Sequence, residues 1–446
     1  MFGNKAASHS SNLWFSPYQD GKTRAERKAS MLNAQNSERS IRDSHNNSKS
    51  TKVKTIVTPI TLVKTGDSIE PMGQRWKCHH GLAVWPALAL AAGIAVAGAA
   101  QSSGTWANTG NLNAVRVNQT ATLLSNGEVL AAGGNDHAGP LASAELFSPA
   151  TGKWTVTGSM ATARSLQTAT LLPSGQVLVA GGLIGISASG VASYTGAAEL
   201  YNPATGQWTP TGSMTTPRAA HAATLLANGQ VLVAGGLNSS GAALASAELY
   251  DPSSGTWQPT GSMNDARANA QATLLQNGQV LIAGGAGLAN GASYTAELYS
   301  NGHWTLTSSM VFSHPSTTRA ASLPNGDALV FGGHLASYAS EFFNPATGRW
   351  TATHNIAVNP PNGPLTLLLT GKVLLAAGES SYGTDSIARL YDSPSNSWLL
   401  TGNLNHARAG HTATRLANGQ VLAAGGEFKN SNGTFTILSS AELYTP

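Results

Sequence analysis

The stretch ATLLANGQVLVAGG at residues 223–236 returns almost unchanged as ATRLANGQVLAAGG at residues 413–426. Related copies lie at 121–134, 169–182 and 272–285, and two weaker copies end at Gly333 and Gly378. Self-similarity at this period predicts stacked supersecondary units. Within each copy, two apolar runs joined by Asn-Gly or Ser-Gly predict a β-hairpin. The Gly pair marks the end of the second strand, where the backbone must bend or approach a neighbour closely.

Two further strands follow each hairpin. The third is a short run such as AELYNP at 198–203, and a turn such as PATG leads to a fourth strand that carries one Trp. These Trp residues are 46 to 54 positions apart: Trp106, Trp154, Trp208, Trp257, Trp304, Trp350 and Trp398. Four short antiparallel strands in a unit of nearly fifty residues are typical of a β-propeller blade.

The order Gly-Gly, Glu-Leu-Tyr-x-Pro, Trp, repeated in phase over 104–446, resembles the kelch repeat, as in the central domain of galactose oxidase. The last unit ends at AELYTP without a Trp, whereas Trp106 precedes the first hairpin. We therefore predict an all-β fold, a seven-bladed kelch β-propeller at 101–446. We expect the N-terminal strand around Trp106 to complete the last blade and close the ring, which leaves no sheet edge unpaired.

The first hundred residues predict two other segments. Residues 1–71 are polar and without apolar periodicity, which indicates a disordered basic extension, and Met72 is a candidate for the true translation start. In 72–100, two basic residues precede an uncharged run that ends in small residues, the layout of a signal peptide. The alternative is a single membrane anchor at 81–100. Either way we expect a secreted, periplasmic or cell-surface propeller, attached to a membrane only if 81–100 stays uncleaved.

The charge distribution argues against a nucleic-acid partner. Residues 1–100 hold 13 Lys or Arg and 6 Asp or Glu, whereas residues 101–446 hold 12 and 15. The predicted propeller is therefore mildly acidic, without the basic surface that nucleic-acid binding requires. We expect a monomer with a carbohydrate or protein partner on one face of the propeller.

Loop lengths favour one face for that partner. The loops between strands two and three are long and variable, whereas the other turns within a blade are short and uniform. Function tends to occupy variable loops on a rigid scaffold. The crossings between blades reach the same face and carry a recurring Arg, with His three residues later in two of them. The candidates for ligand binding are Arg116, Arg164, Arg218, Arg267, Arg408, His221 and His411.

Two interpretations of these arginines stay open. A partial ring of guanidinium groups could bind carboxylates or sugar hydroxyls. The kelch resemblance implies this, since kelch propellers that bind acidic peptides use arginines in the corresponding crossings. Alternatively, each Arg pairs with a Glu that recurs at the start of strand three and belongs to the repeat architecture. Blade five has Pro315 and blade six has Pro360 in place of the Arg, and Arg389 replaces the Glu of blade six.

Aromatic residues in the loops between strands two and three are further candidates for a sugar-binding rim: Tyr194, Tyr294, Tyr338, Tyr382 and Phe435. Such rings, set among Ser, Asn and Gly, are typical of adaptable recognition surfaces. They could equally cap each loop onto its own blade.

No catalytic motif is evident. The resemblance to galactose oxidase would imply a copper-radical cofactor with a Tyr–Cys pair, but the single cysteine, Cys78, precedes the propeller. His314, His334 and His354 match no compact metal motif. We therefore expect neither cofactor nor metal. Four isolated acids lie in or beside the loops, and their spacing selects no catalytic pair: Asp136, Glu379, Asp385 and Glu427.

The sequence thus favours a binding or interaction module for carbohydrate or protein. The alternative is a carbohydrate-active enzyme, a mutarotase or a degenerate relative of the oxidases. A purely structural protein is a third possibility, since a fold alone does not assign function.

Overall fold

The computed structural model describes residues 104–286, 294–314, 318–333, 339–354, 362–380 and 383–446. The predicted N-terminal extension and the signal peptide or anchor lie outside these ranges. The part of the chain that the structure describes contains no helix long and apolar enough to cross a membrane.

Strands account for all the regular structure of the described ranges. The first half of the chain has β1 (Thr105–Asn108), β2 (Thr120–Leu123), β3 (Val129–Ala132), β4 (Ala144–Ser148), β5 (Lys153–Thr157), β6 (Thr168–Leu171), β7 (Val177–Ala180), β8 (Leu183–Ile186), β9 (Ala192–Tyr194), β10 (Ala198–Asn202), β11 (Gln207–Thr211), β12 (Ala222–Leu225), β13 (Val231–Ala234), β14 (Ala247–Asp251) and β15 (Thr256–Thr260).

The second half continues the same order of short strands. It has β16 (Ala272–Leu274), β17 (Val280–Ala283), β18 (Ala296–Ser300), β19 (His303–Leu306), β20 (Thr318–Ser322), β21 (Ala328–Gly332), β22 (Ala339–Asn344), β23 (Arg349–Ala352), β24 (Leu365–Leu367), β25 (Val373–Ser380), β26 (Gly383–Asp392), β27 (Ser397–Leu400), β28 (Thr412–Arg415), β29 (Val421–Ala424), β30 (Glu427–Lys429), β31 (Phe435–Ile437) and β32 (Ala441–Thr445).

These strands form seven four-stranded antiparallel sheets, the blades of a β-propeller. In chain order the blades are β2–β5, then β6, β7, β10 and β11, then β12–β15, β16–β19, β20–β23 and β24–β27. The seventh sheet has the order β1-β32-β29-β28. Trp106 of β1 lies opposite Tyr444 of β32, so the predicted closure of the ring by the N-terminal strand is confirmed.

Seven apolar clusters hold the ring together, one at each interface between neighbouring blades. The second strand is buried along its whole length in six blades, as in β3, β7 and β13, because both of its faces pack against other blades. In the sixth blade, β25 is buried except at Glu379, in its extension. Each cluster includes one of the seven Trp side chains. In the closing interface, Trp154 of the first blade packs with Leu416 and Leu422 of the last.

Two kinds of variation distinguish the blades. The loops between strands two and three contain extra hairpins in the second blade, β8–β9, and in the seventh, β30–β31. In the sixth blade, β25 and β26 run on past the usual end of the strands and pair as far as Ser380 and Gly383, with a bulge at Ala377. All three additions are on the face predicted to bind a partner.

Candidate functional site

The five predicted arginines are buried in ion pairs within their own blades. Arg218 Nη2 lies 2.9 Å from Glu248 Oε1, and Arg218 Nη1 donates to the carbonyls of Gly235 and Ser246 at 2.8 and 2.9 Å. Glu248 also accepts from the amides of Thr215 and Thr216. The equivalent pairs are Arg116–Glu145, Arg164–Glu199, Arg267–Glu297 and Arg408–Glu442, at 2.7 to 2.9 Å.

These ion pairs, with the hydrogen bonds of the same arginines, hold each crossing against the second and third strands of its blade. All five arginines are at most 1% exposed, so their guanidinium groups donate to the protein and do not face solvent. Ligand contact by these side chains stays a prediction, and their burial weighs against it. The residues that do face an open space lie further along each crossing, at the start of the innermost strand.

Blade five keeps the pair in altered form. His314 Nε2 lies 3.0 Å from Glu341 Oε1, and both side chains are fully buried. The interpretation that Pro315 replaces the arginine is therefore corrected, because the preceding residue takes its place. In blade six the pair is lost, since Arg389 stands in the Glu position, opposite Leu400 in the register of β26 and β27.

A polar cavity of about 480 Å³ occupies the centre of the ring. All seven blades contribute to its wall through the first residues of their innermost strands. It lies within the size range of small-molecule sites. The wall includes the amides Asn118, Gln119, Gln167, Asn269 and Gln271 and the hydroxyls Thr120, Thr168, Thr412 and Thr414. The cavity therefore opens on the face of the crossings and the long loops.

The rim of this cavity is made of backbone. At the equivalent position in five crossings the chain is left-handed, at Asn118, Leu166, Ala220, Asn269 and Gly410. Each amide donates to the carbonyl of the preceding blade: Thr318 to Asn269, Asn269 to Ala220, Ala220 to Leu166, Leu166 to Asn118, and Asn118 to Gly410. These inter-blade bonds are 2.9 to 3.4 Å long. The rim is thus fixed independently of the side chains that line the cavity.

His221 and His411 line the cavity and are almost completely buried. Burial and the nearby charge of Arg218 lower the pKa of His221 to about 3, and its Nε2 lies 2.9 Å from Thr168 Oγ1. Burial, Arg408 and Arg319 hold the pKa of His411 well below its usual range. Both imidazoles are therefore neutral at physiological pH, and they offer hydrogen bonds but no charge.

Arg319 is the residue of this cavity that sequence reasoning missed. It occupies β20 opposite Phe331, at the position where other innermost strands have Thr120, Thr168, Ala222, Gln271 or Thr412. Its Nε is shielded from solvent without a hydrogen-bond partner. The signal was present in the sequence, because no other copy has a charged residue at this position.

Two of the four candidate acids come together. Glu379 and Glu427 each follow the glycine that ends the second strand, in the adjacent sixth and seventh blades. Burial, together with the charge of Glu379, raises the pKa of Glu427 to about 8. The other two acids have local roles: Asp136 accepts from the amides of Ala138 and Gly139, and Asp385 accepts from the amide of Ile387.

The aromatic candidates are spread around the loop face. Tyr294 is 48% exposed, and Tyr194 is half-buried in β9. Lys429 Nζ lies 5.8 Å from the ring centre of Phe435. Tyr338 and Tyr382 lie outside the described residues. Phe428, 37% exposed in β30, adds an aromatic ring that the sequence analysis did not single out.

Comparison with known proteins agrees with this architecture. The kelch motif model matches residues 117–161 and 218–264. A solved structure of a fungal alcohol oxidase of the AA5 family, in complex with copper, is similar with a TM-score of 0.60 and 18% identity over 77% of each chain. This chain is a seven-bladed kelch β-propeller. The structure of YjhT is also similar to the kelch propeller, with a TM-score of 0.47 and 15% identity over 74% of this chain and 95% of that one. No curated protein sequence matches.

The residues of this kelch propeller do not fit a copper-radical cofactor. Its only cysteine, Cys78, precedes the described residues, so no Tyr–Cys pair can be assigned within the blades. Within the described ranges, no group of three or more His, Cys, Asp or Glu side chains is placed to hold a metal ion. The likeness to the oxidase is therefore a likeness of fold.

Proposed function

We propose that this kelch propeller is a recognition module that binds a carbohydrate at the mouth of its central channel, on the face of the long loops. The observation that carries the proposal is the cavity of about 480 Å³, which presents amide and hydroxyl groups from several blades. Convergent polar groups in a concave site suit a polyhydroxylated ligand. Exposed rings in the long loops of the same face, such as Tyr294 and Phe428, suit the apolar face of a sugar.

The experiment is a glycan array probed with the full chain, followed by titration of the best glycan against two variants. Tyr294→Ala removes an exposed ring on the binding face, and we expect it to weaken binding by about tenfold. Leu369→Ala removes an apolar side chain, 66% exposed, from a turn on the opposite face and is the matched control. Binding to no glycan would overturn the proposal and leave a protein partner as the leading candidate.

A second candidate function is a carbohydrate-active enzyme, which the Glu379–Glu427 pair favours. A carboxyl group that keeps its proton at neutral pH can act as a general acid, while a nearby ionised carboxylate acts as base or nucleophile. We expect Glu427→Gln to abolish any turnover of a bound sugar. Glu128→Gln, at a half-buried position just after a turn of the opposite face, is the control. Unchanged turnover in Glu427→Gln would exclude this pair.

We also propose that the propeller is exported. The support is the layout of residues 72–100, with basic residues ahead of an uncharged run that ends in small residues. Fractionation of cells that express the full chain, with mass spectrometry of the mature N-terminus, tests it. A propeller recovered in the cytoplasm with residues 72–100 intact would contradict export.

A further inference from the structure

Among the described residues that line the cavity at the centre of the ring, one is a cation without a carboxylate partner. Arg319 projects from β20, the innermost strand of the fifth blade, and lines the cavity. Among the described residues, no carboxylate lies within ion-pair distance of its guanidinium group. The internal segments outside the description, at 287–293, 315–317, 334–338, 355–361 and 381–382, contain no Asp or Glu.

The other charged groups around the cavity do not offset this charge. Arg408 is already paired with Glu442 at 2.7 Å, and His411, which feels the charge of Arg319, is neutral because its pKa is lowered. Burial also lowers the pKa of Arg319, but a guanidinium remains protonated in proteins. The side chain is half-buried and its Nε is shielded from solvent without a hydrogen-bond partner; such a shielded polar atom is costly unless something compensates for it. The fold retains this cost in the one described cavity to which all seven blades contribute.

We propose that Arg319 makes the central channel a binding site for a small carboxylate anion. A guanidinium group presents two parallel N–H donors that match the two oxygens of a carboxylate. The amides of Asn118, Asn269 and Gln271 line the same space and can donate to further oxygens of the ligand. The carboxylate could belong to a simple organic acid or to an acidic sugar. The second source rests on the proposed function.

The experiment measures binding to the full chain by calorimetry at pH 7 and constant ionic strength, with acetate, glucuronate and glucose as probes. Glucuronate and glucose differ only at the carboxylate, so their comparison isolates the charge. We expect glucuronate to bind at least tenfold more tightly than glucose. Arg319→Gln should remove this difference. Arg349→Gln, the same change at an exposed position of β23 in the same blade, should preserve it.

Each outcome separates this inference from the carbohydrate proposal. Binding of acetate without either sugar supports the anion site and overturns the carbohydrate proposal. Equal binding of glucose and glucuronate, unaffected by Arg319→Gln, overturns the anion site and leaves the carbohydrate proposal standing. A failure of Arg319→Gln to fold would be detected by its unfolding midpoint, and Arg319→Lys then replaces it. Lysine keeps the positive charge but lacks the two parallel N–H donors of a guanidinium group. It should therefore weaken glucuronate binding while leaving glucose binding unchanged.

Discussion

At the residue scale, each buried guanidinium group satisfies carbonyls of two strands and one carboxylate. We expect Arg218→Ala to lower the free energy of unfolding by about 3–5 kcal/mol, because it leaves Glu248 buried and unpaired. Urea unfolding measures this. Arg349→Ala, at an exposed position, should change stability by no more than about 0.5 kcal/mol. An Arg218→Ala protein as stable as the wild type would show that the pair is not structural.

The pKa of Glu427 gives a second prediction at this scale. This pKa is raised to about 8 from an ordinary 4.5. Between these two pH values, Glu427 therefore keeps a proton in the folded protein that it has lost in the unfolded chain. This group's contribution to stability is therefore full below about pH 4.5 and falls as the pH rises to 8, by up to about 1.4 kcal/mol for each pH unit.

Unfolding midpoints between pH 5 and 8 test this dependence. Glu427→Gln should flatten it, because glutamine cannot ionise. Glu379→Gln should make the decline end at a lower pH, because the lost negative charge no longer disfavours ionisation of Glu427 and its raised pKa falls. The decline then spans a narrower range and ends below pH 8. A pH profile identical in all three proteins would show that the two carboxyl groups do not interact.

At the element scale, the first glycine of the pair that ends the second strand is explained by the neighbouring blade, as blade three shows. Gly235 has a φ of +67°, and a Cβ there would lie 2.3 Å from the carbonyl oxygen of Arg267 in the next blade. Gly229, in the turn of the same hairpin, also has a positive φ, but a Cβ there would meet nothing closer than 3.9 Å.

These two glycines form a matched pair for a stability measurement. Both alanine variants incur the strain of a left-handed residue, about 1–2 kcal/mol. Gly235→Ala should cost about 1–3 kcal/mol more, because it also forces the blades apart. Equal losses in thermal or urea unfolding would mean that the close approach between blades is easily relaxed.

The sequence patterns predicted the strands and hairpins of the blades, but not every place where a single blade departs from the repeat. The hairpins, the Trp strands and the alternative in which Arg pairs with Glu follow from residue patterns that recur in each copy. The exchange of Arg for His314 escaped notice because only the geometry shows an imidazole next to Glu341. In blade six, Gly378 lacks its companion glycine and Ala377 takes a positive φ of 50°, so the strand continues to Ser380.

The site was less predictable than the fold, for a physical reason. Whether a charge is compensated depends on residues far apart in sequence. The recurring arginines drew attention as ligand-binding residues, but each has a Glu partner about 30 positions away. Arg319 has no such partner among the described residues, and this becomes visible only in the folded ring, where the innermost strands surround one axis.

At the scale of the whole molecule, β1, the N-terminal strand that closes the ring, should contribute as much to stability as any internal strand. Trp106 in β1 and Trp154 in β5 are 9% and 7% exposed, and each lies 5.1 Å from an aromatic ring of the neighbouring strand. We expect either Trp→Ala change to lower the free energy of unfolding by about 3–5 kcal/mol. Unfolding followed by circular dichroism is the measurement. A cost below about 1 kcal/mol for Trp106→Ala alone would mean that the ring does not depend on its closure.

The backbone rim has one more consequence, which concerns the electric field in the channel. In the described crossings the rim amides all donate in the same rotational sense, from Thr318 back to Gly410. Their bond dipoles run along the circumference, head to tail, and so nearly cancel along the channel axis, unlike the aligned dipoles of a helix. These described rim bonds therefore add little electric field along the channel axis. One or two substitutions on the innermost strands could therefore reset the polarity of the opening without disturbing the ring that supports it.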